Sequence, residues 1–302
     1  MTLALTLFAA YLLDTLFGEP RRCHPLVGFG RWASAVEKWL HADSRWAGIA
    51  AWAVAVLPAV VLLWSVRRVV PFPVTCAIDV LVLYLALGRR SLGEHARSVA
   101  DALDDGDLTT ARLAVGRMVS RDTEVLDASQ VAAAATESVL ENGHDAVFGA
   151  LFWFVLLGAP GALLFRLANT LDAMWGYRTP RYGRFGSAAA RIDDVLGFVP
   201  ARLTAFTYAS LGHFVTAWRC WRTQAPIWDS PNAGPVMAAG AGALRTQLGG
   251  AAPYHGQWEE RPILGEGDAP DAQTIRRALR LVDRGTIAWL VVASLGGVAA
   301  HA

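Results

Sequence analysis

WAGIAAWAVAVLPAVVLLWSV, residues 46–66, followed after Arg67-Arg68 by VVPFPVTCAIDVLVLYLALG, residues 69–88, is the stretch on which the fold turns. Each run is about 20 residues long, enough for a helix to cross the hydrocarbon core of a bilayer. Arg67-Arg68 and Pro71 make a tight turn between them. Two tandem spans put a lipid bilayer around the chain and make the fold class all-α, because a lipid-embedded backbone must satisfy its own polar groups.

Working outward, residues 2–17 are apolar apart from Asp14 and two threonines. No basic segment precedes them, and Gly18-Glu19-Pro20-Arg21-Arg22 stands where a small-residue cleavage site would be. A retained helix is therefore expected rather than a removable signal. A last apolar segment runs near 286–300. Two further segments are broken. Residues 146–168 are split by Gly158-Ala159-Pro160-Gly161, and residues 195–218 contain Pro200, Arg202 and His213. The halves of the first are short, which suits a re-entrant pair that dips in and returns. Arg21, Arg22, Arg31, Lys38 and Arg45 place the first loop in the cytoplasm, with Arg67 and Arg68 as the exception.

Between the apolar segments lie long polar ones, 89–145 and 219–285. The first reads as helical: Gly106 breaks one helix from a second at Leu108 to Met118, and Asp127 with Gln130 forms a capping box for a third. The second holds Gly/Pro-rich turns and then a basic helix from Asp271 to Arg284. No alternating strand pattern of useful length and no internal repeat occurs. The expectation is one membrane-embedded domain over residues 1–302. Composition agrees: 54% of residues are hydrophobic, 18% are charged, and the net charge is +1. Nothing there attracts nucleic acid. Cys23, Cys76 and Cys220 are too scattered for a disulfide framework or a zinc site. Lys38 is the only lysine, so anion recognition must rest on guanidinium forks.

Three constellations carry chemistry. Glu137, Glu141 and Asp145 fall at i, i+4 and i+8, so on a regular helix they drift by only about 80° and share a face. A solvated helix face is the ordinary reading of such a stripe. This one, however, runs straight into an apolar segment, where unpaired carboxylates are costly. Three hard oxygen donors suit magnesium. Second is Asn169-Thr170-Leu171-Asp172, continuing through Tyr177, Arg178, Arg181, Arg184 and Arg191 to Asp193-Asp194. Arginines interleaved with tyrosine and glycine suit an anion. A positive-inside loop explains the arginines but not the flanking Asn169 and aspartates. Third are shorter clusters, Ser120-Arg121-Asp122-Thr123 and Ser230-Pro231-Asn232-Ala233-Gly234. No P-loop, nucleophile elbow, zincin motif or Rossmann fingerprint is present.

In their order these clusters resemble the adenosylcobinamide-phosphate synthase family, CobD/CbiB, over essentially the whole chain. The resemblance rests on Gly18-Glu19-Pro20 with His24-Pro25, Arg121-Asp122-Thr123, Glu137-x3-Glu141-Asn142-x2-Asp145, Asn169-Thr170-Leu171-Asp172, Gly176-Tyr177-Arg178, Ala190-Arg191-x-Asp193-Asp194, Pro200-Ala201-Arg202-Leu203 and Ser230-Pro231-Asn232-Ala233-Gly234. Glu19 stands where the family usually has aspartate, Gly143-His144 where bulkier apolar residues are usual, and Pro235 where an aromatic is usual.

The resemblance implies a multi-pass enzyme of the bacterial inner membrane, an ATP- and magnesium-dependent ligase. It would join (R)-1-aminopropan-2-ol O-2-phosphate, or free aminopropanol, to adenosylcobyric acid, and it leaves room for association with other late cobalamin-assembly enzymes. On the residues themselves, Glu137, Glu141 and Asp145 would hold magnesium. Arg121, Asp122, Asn142, Asn169, Tyr177, Arg178, Arg181, Arg184, Arg191, Ser230 and Asn232 would bind phosphate or substrate. Asp172, Asp193 or Asp194 would be the general base. ATP is cytoplasmic, so the site is expected to face the cytoplasm. A transporter or a non-catalytic scaffold is the rival reading; the absence of paired inverted halves and the long polar segments favour an enzyme.

Overall fold

A computed structural model describes residues 2–20 and 24–299; the expected loop charges Arg21 and Arg22, together with Cys23 and the end of the last apolar segment at Ala300, lie outside the described residues. The fold is predominantly helical, as expected, with four three-residue strands that were not. The chain divides into two compact units. One is built from the residues up to Gly88, from Asp145–Gly197 and from Trp289 onward; the other from Arg89–His144 and Phe198–Ala288.

The first unit contains α1 (Thr2–Phe17), α2 (Pro25–Leu40), α3 (Arg45–Val69) and α4 (Phe72–Ala86). The α3 helix, and the helix that opens at Phe72, are long and apolar enough to cross a membrane, with mean hydropathies of 2.3 and 1.6 over their most apolar windows. Only 22% of each window is buried, and side chains such as Val61, Leu62 and Val69 lie open on α3. Ser44 caps α3 by accepting from the Trp46 N–H. At the turn after α3, the Arg67 guanidinium grips Asp79 on α4 with two bonds, Nε to Oδ1 at 2.6 Å and Nη2 to Oδ2 at 2.8 Å. Asp79 is an acid inside a predicted span, and the fork neutralises it. Arg68 stacks on Trp64 instead, 4.1 Å from the ring centre.

The broken segment at 146–168 forms a helical hairpin within this unit. A π turn (His144–Phe148) leads into α8 (Gly149–Leu157), and the chain reverses at Gly158 into α9 (Ala159–Trp175). Gly158 has φ 66° and ψ −157°, a region that side-chain-bearing residues avoid. The two arms pack closely: a Cβ on Gly161 would lie 2.4 Å from the Trp153 carbonyl oxygen, and one on Gly149 would collide with the Phe165 ring. Leu151, Phe154, Ala162 and Phe165 join Leu7 and Leu83 in one core, while Leu167, Leu171 and Trp175 join Trp52 and Phe185 in another.

The second unit contains α5 (Arg89–Asp104), α6 (Leu108–Val115), α7 (Ala128–Gly143), α11 (Phe214–Gln224) and α12 (Ala233–Leu244). Gly106 breaks α5 from α6 as expected, and the Asp127–Gln130 capping box opens α7. α12 is buried along its entire length; sequence reading had placed only turns there. Its Ala/Gly composition lets neighbours approach, so that Gly240 abuts Leu140 of α7. β1 (Gln247–Gly249) pairs antiparallel with β4 (Ile263–Gly265), and β2 (Ala252–Tyr254) with β3 (Gln257–Glu259). Two helices contribute to both units: α10 (Ser187–Leu211) and α13 (Ala272–Ala299). The basic helix and the last apolar segment, expected separately, are one continuous α13.

Replacing Gly158 by alanine should destabilise the protein by about 1–3 kcal/mol, because the turn needs a backbone region closed to L-residues. Thermal unfolding in detergent checks it; an unchanged melting temperature would show that the hairpin turns elsewhere.

Candidate functional site

In the first unit the aspartates gather. Asp145 opens the segment leading into α8, Asp172 lies on the last turns of α9, and Asp193 and Asp194 lie on α10. These carboxylates feel one another: Asp172 is affected by Asp145 and Asp194, and Asp193 by all three others. Asn169, one turn before Asp172, acts as hydrogen-bond donor to both Asp145 and Asp193. Arg166 interacts electrostatically with Asp145, Asp193 and Glu19, and its Nη1 donates to the Asp145 carbonyl at 3.2 Å. Arg178 faces Asp194.

Burial, reinforced by neighbouring negative charge, holds the Asp172 carboxyl at about 6 and pushes Asp193 well above the ordinary range. Asp145 is raised to about 6 by burial, against the pull of Arg166. Asp194 is raised by burial and pulled back by Arg178. The Asp193 Oδ1 is buried and has no hydrogen-bond partner. Gly176 makes room for the group, since a Cβ there would fall 2.0 Å from the Asp172 Oδ1. The arrangement stores negative charge that the protein does not fully compensate, the usual condition of a site that takes up protons or a cation.

The second unit holds a polar cavity of about 260 Å³, lined by Arg121, Glu137, Glu141, Asn142, Tyr254 and Arg261 among others. Glu137, on α7, is its anchor. Its Oε2 accepts from Arg121 Nη2 at 2.5 Å and Arg261 Nη1 at 3.1 Å; its Oε1 accepts from Arg261 Nη2 at 3.2 Å and the Gly249 N–H at 2.8 Å. Burial raises the Glu137 carboxyl, but Arg121 and Arg261 more than offset this and hold it below its ordinary value. Arg121 is correspondingly held above its own, despite burial.

The expected ligand stripe is therefore divided. Glu137 and Glu141 line the cavity, while Asp145 belongs to the first unit. A π turn begins at His144, so the regular spacing that would align Asp145 with the other two ends just before it. Among the described residues no group of three or more His, Cys, Asp or Glu is close enough to form a ready metal cage.

The remaining predicted residues fall into place individually. Asn142 donates to the Ser138 carbonyl and hydroxyl at 2.9 and 3.1 Å. Asp122 accepts from the Gly256 N–H at 2.7 Å and so ties down the β2–β3 ribbon. Arg181 and Tyr182 both bond Glu37, and so fasten their loop to α2, while Arg184 pairs only loosely with exposed Asp43 at 3.5 Å. Tyr177 and Arg191 are exposed. Ser230 accepts from the Asn232 and Ala233 N–H groups at the start of α12, and buried Asn232 accepts from Arg202 at 3.0 Å. Sequence reading missed Arg166, Arg261, Tyr254 and Trp228. An arginine within an otherwise apolar segment was a usable signal for Arg166. Nothing local marks Arg261, which meets Glu137 across 124 positions.

A carboxyl raised on folding stabilises the fold fully below its unfolded value near 4, and that contribution is lost as pH climbs through the folded value. For Asp172 the loss runs from about pH 4 to 7 and is on the order of 2–3 kcal/mol. Asp172→Asn should therefore melt at a higher temperature than the parent at pH 7.5, and lose this advantage at pH 4.5. Equal destabilisation at both values would show that Asp172 is not strained.

Comparison with known proteins places these features in context. The CobD/Cbib protein family matches residues 7–282. A cobalamin biosynthesis protein CobD from Stutzerimonas stutzeri is 58% identical over 98% of this chain and 99% of its own length. Those of Chromobacterium violaceum and Mycobacterium tuberculosis are 57% and 40% identical, covering 96% and 93% of this chain and 95% and 91% of their own. No solved structure matches. The match extends through the aspartates of the first unit and the arginine-clamped cavity of the second, and the chain belongs to the CobD/Cbib family.

Proposed function

We propose that the protein is an adenosylcobinamide-phosphate synthase, an ATP-dependent ligase that forms an amide between the free carboxylate of adenosylcobyric acid and the amine of (R)-1-aminopropan-2-ol O-2-phosphate. The observation that carries the reading is the group of Asp145, Asp172, Asp193 and Asp194 in the first unit, whose carboxyls are held above their ordinary range. Amide formation asks two things of a protein. The acid must be activated by phosphoryl transfer, and the incoming ammonium must lose a proton.

Asp172 suits the second task. A carboxyl held at about 6 is ionised at neutral pH yet basic enough to accept a proton from an amine in flight. Arg178, beside Asp194, offers a guanidinium to phosphate oxygens. The donor set also fits magnesium: the oxygens are hard, and the buried Asp193 Oδ1 has no protein partner. Asp145, Asp193 and the Asn169 amide oxygen would hold the ion, which would supply charge shielding to the phosphates. Glu137 fits poorly as a ligand, because four donors already occupy its two oxygens.

The apolar helices support a multi-pass protein of the bacterial inner membrane, with α8 and α9 as a re-entrant pair turning at Gly158. The loop after α9 then faces the cytoplasm, where ATP is. A single cysteine at Thr179, in a background lacking the native cysteines, should react with an impermeant maleimide only after cells are permeabilised. Reaction in intact cells would put the loop on the wrong side.

Activity itself is tested with purified protein, ATP, magnesium, adenosylcobyric acid and aminopropanol phosphate, following the amide product by mass. Asp172→Asn should lower turnover by roughly 100-fold or more, with its membrane insertion unchanged. Near-normal turnover in that variant would remove Asp172 from the chemistry, and an inactive parent would remove the ligase reading.

A further inference from the structure

We propose that α2 lies along the membrane surface and seats on anionic phospholipid headgroups, through a repeated pair of one cation and one tryptophan. This rests on the membrane reading of α3 and α4 and is independent of the ligase chemistry.

The repeat is plain in the sequence. Arg31-Trp32, Lys38-Trp39 and Arg45-Trp46 recur at intervals of seven residues. On a helix, seven residues return to nearly the same face about 10.5 Å further on, and adjacent residues stand about 100° apart. Along α2 the period therefore draws two rows, Trp32 and Trp39 in one, Arg31 and Lys38 in the other; the third pair opens α3. The structure leaves both rows uncovered. Trp32, Trp39 and Trp46 are 41%, 74% and 80% exposed, and Arg31, Lys38 and Arg45 are exposed as well. Trp32 and Trp39 meet edge to face, with ring centroids 6.3 Å apart. Tryptophan is highly buried on average, so a row of open indoles asks for a covering surface.

Nearby acids do not quench this face. Glu37, the one acid in α2, is turned inward at 8% exposure and accepts from Arg181 and Tyr182. Asp43 pairs loosely with Arg184. Arg31, Lys38 and Arg45 have neither a hydrogen bond nor an ion pair among the described residues. Three cations are thus left in surplus beside three indoles.

The place of α2 in its unit says what covers it. His41–Ser44 alone separate it from α3, which is long and apolar enough to cross a membrane. A Cβ on Gly30 would touch the Met174 sulfur near the end of α9, and Glu37 meets Arg181 just beyond that helix. Two contacts seven residues apart on α2 both fall at the end of α9, so α2 runs across that end rather than down its side. Its inner face, Ala33 and Val36, is packed into the core with Ala51, Trp52 and Leu171. Cations spread along its outer face bar it from hydrocarbon. They suit the boundary instead, where indoles lie at headgroup level and the long basic side chains reach phosphate oxygens. A second copy of the same face would set cation against cation.

The test uses the full-length protein reconstituted into vesicles of phosphatidylcholine, alone or mixed with phosphatidylglycerol. The native cysteines are replaced, and a nitroxide is attached at Ala35→Cys, between the two rows. Its collision rates with oxygen and with a water-soluble nickel chelate report its depth. With phosphatidylglycerol present, the label should lie at the headgroup boundary. The ratio of seated to unseated helix should fall at least about tenfold in the triple variant Arg31→Gln, Lys38→Gln, Arg45→Gln, and also in phosphatidylcholine alone or at high salt. Trp39→Ala should weaken seating too. The double variant Arg31→Lys, Lys38→Arg should seat as the parent does, since a charged leaflet asks for charge rather than for one geometry.

A label equally deep in both lipids and in the triple variant would overturn the proposal. So would a label in water throughout, in protein that resists alkaline extraction; the face would then be open to a soluble partner. Protein stripped from the vesicles by alkali would remove the membrane reading itself. If the triple variant fails to melt cooperatively, the lipid and salt comparisons on the parent decide.

Discussion

Glu137 lies 3% exposed inside the second unit, with two guanidiniums and a backbone N–H converging on its two oxygens. These donors come from distant parts of the chain: Arg121 precedes α7, Gly249 ends β1, and Arg261 follows β3. A buried ion pair of this kind is weak evidence for net stability, because desolvating the charges costs about what their attraction returns. Its force lies in asymmetry. Removing one partner strands the rest and costs on the order of 3–5 kcal/mol. The clamp and the Asp122–Gly256 bond join the Gln224–Gly265 pair and the Asp122 N–H to Pro253 carbonyl bond in holding the β1–β4 and β2–β3 ribbons in place.

The two units treat charge in opposite ways. In the second, carboxylate and guanidinium are matched, and the carboxyl of Glu137 falls below its ordinary value. In the first, four aspartates share the company of Arg166 and Arg178, and their carboxyls rise. Matched charge gives fixed directions and little chemistry. Unmatched charge gives a place where protons or cations exchange.

What could be read from the chain follows the range of the interaction concerned. The Asp127–Gln130 capping box, the break at Gly106 and the division at Gly158 are local and were legible. α12 was not: AGPVMAAGAGAL has no polar face because it is buried on every side, so it lacks the periodicity that betrays a helix. The strands span three residues each, too few for alternation to register. The stripe of Glu137, Glu141 and Asp145 assumed an unbroken α-helix, and a π turn ended that regularity at His144. Composition cannot show that Arg181 meets Glu37, a partner 144 positions away. Asp172, Asp193 and Asn169 were legible as a pattern, but only folding shows them pressed together.

The Arg67–Asp79 fork has a consequence for how such a chain would be made. A carboxylate near the middle of an apolar helix resists entry into lipid by roughly 2.5–3.5 kcal/mol, and α4 entering alone would meet that barrier. With Asp79 already gripped from the end of α3, the two helices present one nearly neutral surface and would partition into the membrane together. The pairing also cancels one of the two positive charges at the turn, leaving Arg68 on Trp64 as the only uncompensated one. Were the two helices to enter a bilayer in this way, their orientation would fall chiefly to the basic residues preceding them, and a nearly neutral turn would cross to the far side at little cost.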